Sequence, residues 1–275
     1  MKISVVIPYF NRRHLILHTL KTISKTEYKD IEVIIVDDAS DQENQLDDIV
    51  NNYWFPIKLI KIKPEQRWWV KDSCVCINVG TEAATGEVLV VQQPECCHIG
   101  DILLDASKRI TDDMVVPYSC YTLNEQDTQL LFNNQPITYR YVCETTANTR
   151  LESAWINHPV ITPVGYHYCM AVTKKTWKLL GGMDMDYSEG FAYCDMDLRE
   201  KIYCSGLQMV FIHPNTLPFV VHMYHPVSYK DDSTKELMGI NKLMHEKKRF
   251  KRERYYKLLE SFNVGPVPKT FNVRW

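Results

Sequence analysis

The stretch Ile31-Glu-Val-Ile-Ile-Val-Asp-Asp-Ala-Ser40 limits the fold of this chain more than any other. From Val33 to Val36 it is a continuous apolar run, too short for a buried helix and rich in β-branched residues. It therefore predicts a parallel strand covered on both faces. The run stops on two adjacent carboxylates, Asp37 and Asp38, and Ser40-Asp-Gln-Glu43 follows with the spacing of a capping box, which predicts a helix start. Two acids at that place lie on the sheet edge where open α/β folds bind their ligands.

The first 117 residues supply the neighbours such a strand needs. Residues 3–7, 57–62, 87–91 and 114–117 predict further short strands. Between them lie helical patterns. Asn11 is placed to cap a helix carrying Leu15, Ile16, Thr19, Leu20 and Ile23. A second helix presents Leu46, Ile49, Val50 and Tyr53, and a third follows Asp72 with Val75, Val79 and Ala83 before Gly86. A fourth runs from Gly100 to Ile110. Strand–helix alternation implies a mixed, mostly parallel α/β sheet with helices on both faces.

Residues 118–165 break this rhythm with polar and aromatic residues, the pattern of a lid or a substrate-facing insertion. Regularity returns with a strand at 168–172 and a helix at 174–180 closed by Gly181-Gly182. An acid-rich segment at 184–197, a helix to Cys204, a strand Leu207–Ile212 and a strand-like Leu217–Val221 come next. A charged helix from about Thr234 to Phe262 precedes a Pro-containing tail. The expected organisation is one domain over 1–230, with a nucleotide-binding half at 1–117 and an acceptor-side half at 118–230. Residues 231–275 form a C-terminal helix and tail packed on it.

Composition narrows the functional class. Of 275 residues, 24% are charged and the formal net charge is −2, which argues against the basic field of a nucleic-acid binder. Nine cysteines are an odd number, and neither Cys74-x-Cys76 nor Cys96-Cys97 has the spacing of a structural zinc site, so they read as small apolar fillers in a reducing compartment. With no membrane-length apolar run and no signal-peptide pattern at the N-terminus, the expected location is cytoplasmic or cytosol-facing.

Several segments together carry a family resemblance. Val5-Val-Ile-Pro-Tyr-Phe-Asn-Arg12 and Glu32-Val-Ile-Ile-Val-Asp-Asp-Ala-Ser40 resemble the opening of family-2 glycosyltransferases of the GT-A fold. Asn78-Val-Gly80 with Ala84-Thr-Gly-Glu87, then Gly181-Gly-Met-Asp184 and Tyr193-Cys-Asp-Met-Asp-Leu198, resemble the family's later segments in the same order. The resemblance covers roughly residues 1–225. It implies transfer of a sugar from a nucleotide-diphosphate sugar, UDP favoured, to an acceptor hydroxyl, usually with inversion and with a divalent cation on the diphosphate.

The resemblance also implies roles. Asp37 and Asp38 would meet the base edge and ribose, and Ser40 leaves them free of capping. Pro8, Tyr9, Asn11 and Arg12, on the same edge, would line the nucleotide pocket with an aromatic for stacking. Where the family carries Asp-x-Asp, this chain has Gln93-Pro-Glu95, leaving Glu95 as the anionic ligand for Mn²⁺ or Mg²⁺ and Gln93 toward the nucleotide. A late histidine, His222 or His225, would join the metal, since imidazole suits Mn²⁺ better than Mg²⁺. Asp195 would be the general base, with Cys194 where the family has Glu, and Asp197 in support. His167 and Asp184 fall on the acceptor side, and Trp68 is an aromatic suited to a sugar face. The basic run Lys247–Arg254 is either a solvated helix face or a peripheral contact with anionic lipid. A glycan, lipid-linked or protein acceptor is compatible with all of this. The competing function is a catalytically weak GT-A-like domain that binds nucleotide or a partner, motivated by the missing Asp-x-Asp. A nucleotidyltransferase ranks behind both, because Pro8–Arg13 contains no glycine.

Overall fold

A computed structural model describes residues 1–147, 154–216, 218–226 and 231–261. Leu217, Phe262 and the Pro-containing tail lie outside the described residues. The strands are β1 (Ile3–Tyr9), β2 (Ile31–Asp37), β3 (Ile57–Lys61), β4 (Val88–Gln92), β5 (Cys96–Ile99), β6 (Met114–Pro117), β7 (Cys120–Thr122), β8 (Trp155–Asn157), β9 (Cys169–Thr173), β10 (Gln208–Met209) and β11 (Phe219–His222). The helices are α1 (Arg13–Ile23), α2 (Cys74–Ala83), α3 (Ile102–Arg109), α4 (Glu125–Phe132), α5 (Tyr139–Ala147), α6 (Lys174–Leu180), α7 (Cys194–Cys204) and α8 (Asp232–Ser261).

Seven strands form the main sheet in the order β10-β6-β9-β4-β1-β2-β3. All its pairings are parallel except those of β9, which runs antiparallel to β4 and β6. This is the mixed, mostly parallel α/β sheet that the strand–helix alternation predicts. Alternate residues of β1 explain its two covered faces. Ile3, Val5, Ile7 and Tyr9 pack with α1 and α3, whereas Val6 packs with α2, α6 and α7. Pro8 sits on the β4 side just past the last β4 partner, Val6↔Val91, so its missing N–H breaks no ladder bond.

A smaller sheet, β5-β11-β7-β8, sits over a third apolar cluster that includes Leu15, Tyr121, Trp155 and Phe219. The stretch that reads as irregular contributes its strands β7 and β8, and also forms the helices α4 and α5. Its strands β7 and β8 are only three residues long, too short for period-two alternation to show.

Three local expectations change. No α-helix follows β2: the segment forms two 3₁₀ turns, Gln42–Asn44 and Asp47–Ile49. The Ser40 hydroxyl accepts from Asn11 N at 3.0 Å, and Ala39 takes φ 62°, so the capping box never closes. Asn11 does not cap α1. It adopts φ 49° and its amide is tied to Asp41, leaving Arg12 as the N-cap. The strand expected over Leu207–Ile212 pairs only at Gln208 and Met209, opposite the start of the short β6.

Helix α8 is fixed to the domain by buried polar contacts. Asp197 is 1% exposed and pairs with Arg252 at 2.6 Å, and Lys248 pairs with Asp184 at 2.5 Å and Asp186 at 2.7 Å. The Asn241 amide donates to the carbonyls of Tyr187 and Ala192. The basic run is therefore two-faced. Lys248 and Arg252 turn inward, and Lys247, Phe250 and Lys251 are exposed. No helix of the described residues is long and apolar enough to cross a membrane.

Candidate active site

The C-terminal ends of β1, β2 and β4 open onto one edge of the main sheet, and the ends of β9 and β11 are brought there by pairing. Gln92 ends β4 opposite Cys169, the first residue of β9, so His167 and Tyr168 reach the same edge. His222 ends β11 opposite Cys96, and Met223 N donates to Glu95 O at 2.9 Å. Residues 126 to 128 positions apart thus meet because two short strands pair antiparallel.

Glu95 is the centre of one cluster. Its Oε1 lies 2.6 Å from Arg12 Nη1, 3.2 Å from His222 Nε2 and 3.5 Å from His225 Nε2. Burial alone would raise its carboxyl pKa, but Arg12 and the two imidazoles outweigh that and hold it well below the ordinary range. Its Oε2 is buried without a hydrogen-bond partner among the described residues. Glu95, His222 and His225 offer three ligand atoms within 4.8 Å of one another. One carboxylate and two imidazoles, with an orphaned carboxylate oxygen, form a donor set that fits a divalent cation. Both histidines reach Glu95, so spacing alone had no single choice to make. Gln93, half-buried beside them, is held through its N–H to Tyr168 O at 3.1 Å.

Asp37 and Asp38 are both buried, and they differ in their partners. Asp37 accepts from Ser40 N at 2.9 Å, so part of its capacity shapes the turn after β2. Asp38 lies 3.2 Å from Arg67 Nη2, and its Oδ1 is buried without a hydrogen-bond partner among the described residues. Burial raises the Asp38 carboxyl, opposed by Arg67 and by Trp69 and Cys76 beside it. Tyr9 is 1% exposed, and its hydroxyl donates to Asn44 O. Its ring faces the core and is not available for stacking. The exposed aromatic on this edge is Phe10, with the Arg67 guanidinium 5.3 Å over its ring. Neither Phe10 nor Arg67 is marked by the sequence. Phe10 follows the aromatic that matched the motif, and Arg67 is a single cation before two tryptophans, with no spacing to mark it.

Asp195 stands in the first turn of α7, favourable for a carboxylate at the positive end of a helix, and it remains partly exposed. The Cys194 thiol donates to its Oδ1 at 3.1 Å. His167 is 4% exposed, its Nδ1 is 3.8 Å from the same oxygen, and that nitrogen has no hydrogen-bond partner among the described residues. Tyr168 connects this group to the Glu95 cluster. Its ring is 5.7 Å from that of His222, and its hydroxyl pKa is raised first by burial and then by Asp195. Asp184 and Asp197 are drawn away from the site, into the ion pairs that hold α8. Trp68, 62% exposed, stands edge-on to the buried Trp69 near the Asp38 end.

The model of the glycosyl transferase family 2 matches residues 4–159, more than half of the chain. The chain belongs to that family. Solved structures share its GT-A fold. It aligns with S. aureus TarS 1–349 in complex with UDP-GlcNAc at a TM-score of 0.58 and 16% identity, over 88% of this chain and 65% of that one. It aligns with the mannosyltransferase PcManGT from Pyrobaculum calidifontis, solved with GDP-Man and Mn²⁺, at 0.52 and 20% identity, over 82% and 57%. With GalNAc-T7 bound to UDP, GalNAc and Mn²⁺ the values are 0.55 and 16%, over 82% and 44%. The chain thus spans roughly two-fifths to two-thirds of the length of these structures. No curated protein sequence matches it.

Proposed function

We propose that this chain is a glycosyltransferase that moves a sugar from a nucleotide-diphosphate sugar, UDP favoured, to an acceptor hydroxyl by direct displacement with inversion. The observation that carries this is the meeting of Glu95, His222 and His225 on the sheet edge that also holds Asp38 and Asp195. Asp38, through its unpartnered Oδ1, accepts from the nucleoside, and Phe10 supplies a ring face for the base. Glu95, His222 and His225 would hold a divalent cation, Mn²⁺ by their donor set, which would offset the negative charge of the diphosphate. Arg12, paired to Glu95, adds a fixed positive charge at the same end. Asp195, faced by His167, takes the proton of the attacking acceptor hydroxyl. Support comes from the family match, and from neighbours of this fold solved with UDP, UDP-GlcNAc or GDP-Man.

A screen of nucleotide sugars by thermal shift, with and without Mn²⁺, tests the proposal. One diphosphonucleotide family should raise the melting temperature, and Mn²⁺ should enlarge the shift. The Arg12–Glu95 ion pair favours a second reading, in which that pair replaces the cation and the domain binds nucleotide with little turnover. Stabilisation that is indifferent to Mn²⁺ and accompanied by no donor cleavage would select it.

A further inference from the structure

Behind Asp195 lies a second group of ligand-type side chains that the transfer chemistry does not use. Asp72, Cys74 and Cys194 are all buried, and their ligand atoms lie within 4.8 Å of one another. Cys74 is the first residue of α2 and Cys194 the first of α7, so two helix N-termini converge on one point. Both ends favour negative charge there. Cys74 N donates to Asp72 Oδ1 at 2.9 Å, fixing that carboxylate against the start of α2. The charged side chains acting most strongly on the three are Asp72 and Asp195, both acidic. Among the described residues no lysine or arginine pairs with Asp72. Both thiols hydrogen-bond to the buried Asp72 carboxylate. The three groups, at the positive ends of two helices, are thus the donors of a cation site held together by thiol protons that a metal ion can displace.

We propose that Asp72, Cys74 and Cys194 bind zinc. Two thiolates and a carboxylate are borderline-soft donors that select Zn²⁺ over the harder ions suited to Glu95 and the two histidines. A tetrahedral zinc with sulfur ligands at about 2.3 Å places those sulfurs about 3.8 Å apart, so three atoms already within 4.8 Å need only a small contraction. Binding releases the protons of both thiols to solvent. Water would complete the fourth position, and Asp195, whose Oδ1 is 3.1 Å from Cys194 Sγ, lies just outside the three-donor group. Zinc here would staple the start of α2 to the start of α7 directly beneath the proposed base. The sequence hides the site because its donors are 120 residues apart and lack Cys-x₂-Cys spacing.

The test is metal analysis of the full chain purified under reducing conditions, followed by replacement with Co²⁺. One zinc per chain should survive dialysis, and the Co²⁺ form should show thiolate-to-metal charge-transfer absorption. Cys74→Ser and Cys194→Ser should each weaken that absorption, whereas His222→Ala should leave it intact. Should the serine variants fail to fold, the wild-type spectrum decides by itself. The proposal is overturned by a chain without stoichiometric zinc whose Co²⁺ form lacks the sulfur band. Zinc that is lost with His222→Ala, or a Cys74–Cys194 disulfide found by mass spectrometry, overturns it equally. None of these readouts depends on sugar transfer, so their failure leaves the proposed activity standing.

Discussion

At the scale of single residues, the two carboxylates at the start of α7 differ in their surroundings. Asp195 is partly exposed with a thiol donating to it, whereas Asp197, two positions on, is sealed under Arg252. Asp195→Asn is expected to lower transfer by about 10²–10⁴-fold while donor affinity stays within a few-fold, measured as kcat and as Kd for the donor. A change in donor binding alone would place Asp195 elsewhere in the mechanism. His98 marks a different kind of buried group. Burial lowers its pKa to about 4 from 6.5, with Asp101 opposing, while its Nε2 meets Gln92 Oε1 at 2.7 Å. The unfolded chain binds that proton first, so stability from this residue is full above pH 6.5 and lost as pH falls through 4. The loss is up to about 3 kcal/mol. Melting temperature followed from pH 7 to pH 4 should fall more steeply for the wild type than for His98→Gln.

At the scale of elements, the motifs prove to be packing devices as much as chemical ones. The Asn78 amide donates to Met183 O and accepts from Met183 N, each at 2.9 Å, so the Asn-x-Gly and Gly-Gly-Met-Asp segments are hydrogen-bonded to each other. Gly80 lets α2 approach β1: a Cβ there would sit 2.5 Å from Val6 Cγ1 and 3.1 Å from Val36 Cγ2. Gly80→Ala is therefore expected to destabilise by about 1–3 kcal/mol, read by urea denaturation, despite the better helix propensity of alanine. Helix α8 supplies a second test. Arg252→Ala leaves Asp197 buried with the Tyr187 hydroxyl at 3.3 Å and Lys201 at 3.8 Å as its remaining partners, and should cost about 3–5 kcal/mol. Arg252→Lys should recover part of it. An unchanged denaturation midpoint would mean that α8 does not depend on this pair.

At the scale of the molecule, the main sheet was legible because its strands are continuous β-branched runs joined by periodic helices. The stretch Val33–Asp38 reads correctly as a doubly covered strand ending in two acids. Less legible were features set by distant contacts. The segment after Asp38 became 3₁₀ turns because Asn11 captured Ser40 and Asp41. The smaller sheet escaped notice because its strands are brief, yet its β5–β11 pairing is what carries His222 to Glu95. Tyr9 and Phe10 exchange roles for a simple reason: adjacent residues at a strand end point opposite ways. Local sequence sets which residue types are available, and tertiary pairing selects the partners.

Glu95 and its two histidines are the centre of the proposed chemistry. Calorimetric titration of UDP into the protein, with and without Mn²⁺, should give an affinity for the wild type that Mn²⁺ strengthens by about tenfold or more. In Glu95→Gln, which keeps the shape and removes the charge, that gain should vanish while the cation-free affinity changes little. A Mn²⁺ effect of equal size in both proteins would contradict the central claim.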